Sequence, residues 1–229
     1  MDSNSEGVTN MILDIVEIGD PVLRRKAHKI TQIDRDIRLL ADDMLETLRD
    51  SGGVGLAAPQ VGESIRMIVI EYPEDDSVEN SPMKTYKVIN PEIIWRSEET
   101  VVGSEGCLSI PGYVGNVERN ESIKVKGLSV FGRPLKISAS GWMARIFQHE
   151  IDHLEGICYI DRATEIFKPS ENTETEAGSG AAEEPQVGSA AAVTTAEKAA
   201  PETSAEASKA QTVSEALAAV PETADTPAA

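Results

Sequence analysis

The clearest chemical signal in the sequence is a pair of histidines four residues apart, His149 and His153, with Glu150 directly after the first. On a helix, residues four apart project from the same face, so both imidazoles can reach one metal ion. A divalent metal lowers the pKa of a bound water to about 7, and a neighbouring carboxylate can then accept its proton. The pattern predicts a metal centre with His149 and His153 as ligands and Glu150 as general acid/base.

A catalytic metal site needs a third protein ligand and an open position for water. A metzincin would place a third histidine where this chain has Tyr159, although Gly156 is in register. A gluzincin would supply a downstream glutamate, but Glu171 and Glu174 fall in a segment without predicted structure. His28 is a further candidate, although a surface histidine is the simpler interpretation.

Cys107, in the segment EGCLS, is the remaining candidate. Gly106 lets the backbone turn close to a site, and a bound metal keeps a thiolate deprotonated. The other cysteine, Cys158, stands in an apolar run and is predicted to be a small buried side chain. The predicted ligand set of Cys107, His149 and His153 suits both Fe²⁺ and Zn²⁺.

The elements that must position these residues follow from periodicity. A helix is predicted from Gly141 to Leu154, closed by Gly156, and an N-terminal helix over residues 34–49. Strands are predicted over the following ranges, of which the last two form a hairpin: 65–71, 86–89, 92–96, 122–131 and 134–139. Because helices and strands do not alternate regularly, we expect an α+β fold with mainly antiparallel sheets around a central metal-binding helix.

Composition limits the classes of partner. The net charge is -18, which argues against a nucleic-acid surface and against docking on anionic lipid. No apolar run reaches the length of about 18 residues that a membrane span needs. The N-terminal segment MDSNSEGVTN is polar and acidic, unlike a secretory or transit signal, and only two cysteines are present. We therefore expect a cytoplasmic protein.

The domain boundary is predicted near Lys168 and Pro169. Up to this point large aliphatic and aromatic residues recur, and after it Ala, Glu, Thr, Ser, Gly and Pro dominate. Such a composition cannot bury enough apolar surface to offset the entropy of the chain. We expect a catalytic domain over residues 1–168 and a disordered acidic tail over residues 169–229.

Three segments together resemble the peptide deformylase family: GVGLAAPQ at 53–60, EGCLS at 105–109 and QHEIDHLEG at 148–156. They follow the family's order and separations, and the resemblance extends over about residues 12–165. It implies that metal-bound water removes the formyl group from the N-terminal formyl-methionine of nascent polypeptides. It also implies one divalent ion per chain, Fe²⁺ before Zn²⁺, Ni²⁺ or Co²⁺, and, as a further partner, the ribosome near its exit tunnel.

The family pattern carries further roles over to this chain. The Gln60 amide and the Leu108 backbone N–H would stabilise the oxyanion, and the backbone of Gly55 would lie beside the formyl group. The methionine side chain needs an apolar pocket, and the candidate lining residues are Val54, Ile146 and Trp142. The alternative role of these three residues is ordinary core packing.

One departure from the pattern concerns peptide binding. Many family members have an arginine where this chain has Val114, which leaves peptide selectivity open. Arg119, the next arginine of the pattern, is present, and we expect it to pair with Glu105 and brace the Cys107 loop.

Two other functions compete with deformylation. One is a zincin-type endopeptidase, which lacks a usable downstream ligand here. The other is an inactive domain whose acidic tail recruits partners. The complete set of ligands together with Glu150 argues against inactivity.

Overall fold

The computed structural model describes residues 11–74 and 78–169 of the chain. Apart from Pro169, the predicted acidic tail lies outside the described residues, so the boundary at residue 168 stays a prediction. No helix of the described part is both long and apolar enough to cross a membrane.

The described part contains eight strands and two α-helices. In chain order these are α1 (Arg35–Ser51), β1 (Gly55–Ala57), β2 (Met67–Pro73), β3 (Met83–Arg96), β4 (Thr100–Cys107), β5 (Ile110–Asn120), β6 (Ser122–Leu128), β7 (Pro134–Ser140), α2 (Gly141–Leu154) and β8 (Glu165–Phe167). One antiparallel sheet has the order β1-β2-β3-β6-β7 and the other has the order β4-β5-β8. Three short 3-10 helices occur at Pro21–Arg24, Ala58–Val61 and Tyr159–Asp161. The predicted α+β class with antiparallel sheets is confirmed.

The five-stranded sheet lies between the two helices. In β2, Ile68 packs towards α2 residues such as Phe147, whereas Met67 packs towards α1 residues such as Met44. Successive strand side chains point to opposite faces, so this short apolar strand supplies both cores. The helix α2, predicted with these same bounds, is buried from Ala144 to Leu154.

The three-stranded sheet has a core of its own. Ile110 and Val117 of β5 pack with Leu23, Cys158 and Tyr159, which come from segments before α1 and after α2. This third core fixes the β4–β5 hairpin, whose β4 strand ends at Cys107, beside α2.

The strand predictions needed correction in two places. Residues 86–89 and 92–96 belong to one strand, β3, which continues through Asn90 with a register shift. Asn90 has a positive φ of 51°, and its side chain exchanges two hydrogen bonds with the Ile30 backbone. The hairpin prediction was correct, although its first strand, β6, ends at Leu128.

The other correction is that the three-residue β1, in a segment expected to be a loop, and the strands β4, β5 and β8 were not predicted. Glycines interrupt the apolar pattern of β4 and β5, and β8 is only three residues long. These strands are therefore defined by their pairing with one another rather than by their local sequence.

Candidate metal centre

Cys107 lies at the last position of β4, where the register of the β4–β5 hairpin shifts after Gly106. Its partner in the ladder is Ile110, so Leu108 and Ser109 form the tight connection between the two strands. The shift turns the half-buried thiol towards α2, where its sulfur lies 3.3 Å from Nε2 of His153.

The three predicted ligands come together in the structure. One donor atom each from Cys107, His149 and His153 lies within 4.8 Å of the other two. The two imidazole rings are 5.0 Å apart and inclined at 75°, as expected for side chains from successive turns of α2. A sulfur and two imidazole nitrogens form a donor set that fits Fe²⁺ or Zn²⁺.

The orientation of His149 depends on Glu105. Oε2 of Glu105 lies 2.8 Å from Nδ1 of His149, which leaves Nε2 free to face the other ligands. Arg119 donates two hydrogen bonds to the same carboxylate, at 2.8 and 2.9 Å, so the predicted Glu105–Arg119 pair is present. Burial alone would raise the pKa of Glu105, but the hydrogen bonds with Arg119 and His149 lower it to about 2.

The protonation of the histidines bears on metal binding. Burial alone would lower the pKa of His149, but its hydrogen bonds to Cys107 and Glu105 raise it to about 10. Burial lowers the pKa of His153 well below its ordinary value. Since a proton and a metal ion compete for the same nitrogen, a cation entering this site would displace the proton of His149.

Glu150 lies beside the donor set and is 4% exposed. Its Oε2 atom is buried and has no hydrogen-bond partner among the described residues. Burial raises the pKa of this carboxyl group to about 7. A buried carboxylate oxygen without a partner suits a site that binds a cation and exchanges protons with a ligand.

Gly55 in β1 forms the wall opposite this carboxylate. A Cβ atom at position 55 would lie 2.4 Å from Oε1 of Glu150, closer than any side chain allows. Because residue 55 has no side chain, the Glu150 carboxylate can lie directly against β1.

Gln60 has a fixed orientation. Its Oε1 accepts a hydrogen bond of 2.8 Å from the Ala57 backbone N–H. Its Nε2 consequently faces the site, where it donates to the Cys107 sulfur at 3.4 Å and to the Ser109 hydroxyl at 3.3 Å. The side chain presents a buried N–H donor beside the predicted metal position.

A cleft of about 400 Å³ opens over these residues. Ile146, almost fully buried, lines it together with the half-exposed side chains of Val54 and Trp142. Leu108 also lines the cleft, whereas His153, which is fully buried, lies behind it. All three candidate pocket residues thus face the same apolar space above Glu150.

The family model of polypeptide deformylase matches residues 12–168, which is more than half of the chain. The chain belongs to the polypeptide deformylase family. Peptide deformylases are metal-dependent hydrolases that act on the formylated N-termini of nascent peptides.

Individual members of the family are similar over the same region. The peptide deformylase of Symbiobacterium thermophilum is 51% identical over 165 residues, which cover 72% of this chain and 73% of that protein. The crystal structure of peptide deformylase from Thermotoga maritima superposes with a TM-score of 0.61 at 41% identity, covering 69% of this chain and all of the other. A Met-Ala-Ser-bound structure of the class I type b enzyme from Acinetobacter baumannii matches at 37% identity with a TM-score of 0.62, covering 67% and 99% of the two chains.

Other residues considered from the sequence lie elsewhere or have other contacts. His28 is exposed and outside the metal-ligating group of the described residues. Tyr159, at the metzincin ligand position, stacks on His149 with ring centres 6.1 Å apart. Cys158 is fully buried, as predicted, and burial raises its pKa to about 11. Val114 lies half-buried in β5 opposite Gly106.

Two buried charged residues near the site were missed. Arg145, one turn before His149, bonds to Glu105, and Asp152 bonds to Arg119 at 2.5 Å. The sequence contained one signal for both residues, since each is a charged residue within a largely apolar helix. A buried charge needs a partner, so each pointed to a contact with another element. The partners themselves come from strands that the sequence did not predict.

Proposed function

We propose that this chain deformylates formyl-methionyl peptides with one divalent ion held by Cys107, His149 and His153. The observation that carries the proposal is the convergence of these three donor atoms within 4.8 Å, beside a Glu150 carboxylate oxygen that has no hydrogen-bond partner in the described part of the chain. The thiolate and the two imidazoles suit Fe²⁺ and Zn²⁺ alike, and the resemblance to the family puts Fe²⁺ first, with Zn²⁺, Ni²⁺ or Co²⁺ able to replace it. When bound, the ion supplies Lewis acidity that polarises the formyl oxygen and activates water.

Glu150 is the proposed general acid/base. It takes a proton from the attacking water and delivers it to the departing amine nitrogen, so that formate and a free N-terminus are released. A carboxyl group with a pKa of about 7 is well matched to both transfers at neutral pH.

The oxyanion would be stabilised by Gln60 and Leu108. The Ala57 N–H holds the Gln60 amide so that its Nε2 faces the site, and the backbone N–H of Leu108 follows the Cys107 ligand directly. One such preorganised donor typically lowers the barrier by about 3 kcal/mol. Gly55 would leave room for the formyl group beside the Glu150 carboxylate.

The rest of the substrate has two places to bind. The methionine side chain would enter the apolar cleft against Ile146, Val54 and Trp142. The following residues would run along β4, which is one of the two edge strands of its sheet and leads to Cys107. Strand addition to an open edge is a common mode of peptide binding. The Met-Ala-Ser-bound relative from Acinetobacter baumannii supports this substrate class.

We also propose that the enzyme works in the cytoplasm, on chains leaving the ribosomal exit tunnel. Its substrates carry their formyl group from the start of synthesis, so the exit tunnel is where they first become accessible. The net charge of -18 gives no basis for extensive contact with ribosomal RNA.

The assay that separates the competing functions uses two peptides. With Fe²⁺ or Ni²⁺ bound, the enzyme is expected to release formate from formyl-Met-Ala-Ser and to leave the internal bonds of an acetylated decapeptide intact. Cleavage of the decapeptide would support an endopeptidase. Absence of both reactions would support an inactive interaction domain.

A further inference from the structure

Arg145 connects the metal-binding helix to the β4–β5 hairpin. The residue is 6% exposed, and its side chain projects from α2 one turn before His149. Nη1 donates to Oε1 of Glu105 at 2.9 Å and to the Val117 carbonyl of β5 at 2.8 Å, and Nη2 donates to the Val101 carbonyl of β4 at 2.7 Å. A longer contact of 3.3 Å reaches the Gly103 carbonyl. One guanidinium therefore bonds to the backbones of both strands.

Gly103 leaves the space that the Arg145 guanidinium needs to reach both strands. A Cβ atom at this position would lie 2.8 Å from Nη2 and 2.9 Å from Cζ of Arg145. The guanidinium cannot move aside without giving up hydrogen bonds to the strands. Arg145 and Gly103 thus form a matched pair that determines how closely β4 approaches α2.

The two arginines that contact Glu105 have different roles. Arg119 binds both carboxylate oxygens and also Asp152 on α2, so it neutralises the charge beside His149. Arg145 gives Glu105 a single hydrogen bond and directs its remaining bonds to strand carbonyls. Removing Arg145 leaves the Glu105–His149 contact with a bidentate partner, whereas the backbone of β4 at Val101 and Gly103 loses its hydrogen bonds to the helix.

We propose that Arg145 is a positioning residue that fixes the path of β4 and thereby the binding of the substrate residues that follow formyl-methionine. The proposal rests on the proposed function, because it takes the open edge of β4 as the place where the peptide pairs. In the described part of the chain, β4 has a strand neighbour on one side only, and Val102 beside Gly103 is well exposed. Arg145 also lines the cleft, but its guanidinium bonds to Glu105 and to the strand carbonyls, so it acts on the residues after methionine through β4.

The experiment compares a long and a short substrate in two variants, Arg145→Lys and Gly103→Ala. For formyl-Met-Ala-Ser, KM is expected to rise about fivefold to tenfold, the loss expected for one or two hydrogen bonds. For formyl-methionine amide, which ends before the strand edge, KM is expected to rise less, and kcat should fall less than KM rises. Arg119→Lys is the contrasting variant, because it acts at Glu105. It should lower the metal content of the enzyme, and it should lower kcat for both substrates alike.

The binding of the reaction products tests the role of Arg145 separately from the proposed function. By calorimetry, the dissociation constant of Met-Ala-Ser should rise about fivefold to tenfold in both variants, and that of methionine amide less. In an Arg145→Met background, which vacates the space at Gly103, Gly103→Ala should cause no further loss. Equal weakening of both products, or full additivity of the two substitutions, would overturn the role of Arg145. A wild type that binds Met-Ala-Ser but releases no formate would overturn the function instead.

Discussion

Nδ1 of His149 lies 2.8 Å from the carboxylate of Glu105, a residue that is 44 positions earlier in the chain. The contact fixes the imidazole so that Nε2 faces Cys107 and His153. It also ties β4 to α2 at the level of the proposed metal site. The position of one proposed ligand, His149, therefore depends on the strand that carries another, Cys107.

Glu105→Gln is expected to weaken metal binding. The amide can accept from His149 but removes the negative charge that Arg119 and Arg145 bind, and such changes behind a ligand typically cost about 10-fold to 100-fold in affinity. The affinity can be measured by competition with a coloured chelator under anaerobic conditions. Glu118→Gln, which alters an exposed carboxylate on neighbouring β5, is the matched control. Equal affinities in the two variants would contradict the role of Glu105.

Gly55→Ala is expected to lower kcat at least tenfold without loss of metal. The new methyl group would lie 2.4 Å from Oε1 of Glu150 and would displace the carboxylate, while the three ligands stand on other segments. A displacement of about 1 Å can cost about 100-fold in rate. Gly106→Ala, where the nearest atom beyond the adjacent residues is 3.9 Å away, controls for added bulk near the ligands. An active Gly55→Ala enzyme with normal metal content would argue against Glu150 as the acid/base.

The pH dependence of catalysis is expected to follow Glu150. Burial raises its pKa to about 7, and only the deprotonated form accepts a proton, so kcat/KM should rise with pH and level off above this value. A bound cation favours the carboxylate and moves the rise to lower pH. Measurements of kcat/KM for the metal-saturated enzyme between about pH 5 and about pH 9 test this rise. A decline of kcat/KM with increasing pH over this range would contradict the assignment.

A chain that ends after Pro169 is expected to keep its fold and activity. Phe167 of β8, opposite Val114, makes the last strand pair in the described residues, and removal of residues outside the site should change kcat/KM by no more than about twofold. A chain ending at Thr164, which lacks β8, should melt at a lower temperature. A large loss of activity in the chain that ends after Pro169 would show that the boundary at residue 168 is wrong.

The sequence was sufficient for the parts of the site that depend on local spacing. The bounds of α2 and the common face of His149 and His153 follow from the helical period and from Gly156. Cys107 could be named because few alternative ligands exist in the chain. These predictions needed no knowledge of how the strands pair.

The remaining parts depend on contacts between distant segments. Asn90 looked like a break between two strands, but its side chain binds Ile30, which is 60 positions earlier, and the strand continues. Arg145 was overlooked because its acceptors lie on β4 and β5, which the sequence did not predict. Glycines in those strands hide the alternating pattern, and one of them, Gly103, is required by the arginine itself.

The most direct test of the central claim combines metal analysis with an assay of one variant. Purified anaerobically, both wild type and Glu150→Gln are expected to contain one Fe²⁺ per chain, because Glu150 is not a ligand. Wild type should release formate from formyl-Met-Ala-Ser, and Glu150→Gln should be slower by at least about 100-fold. A metal-loaded wild type that releases no formate, or a Glu150→Gln enzyme that retains full activity, would contradict the account.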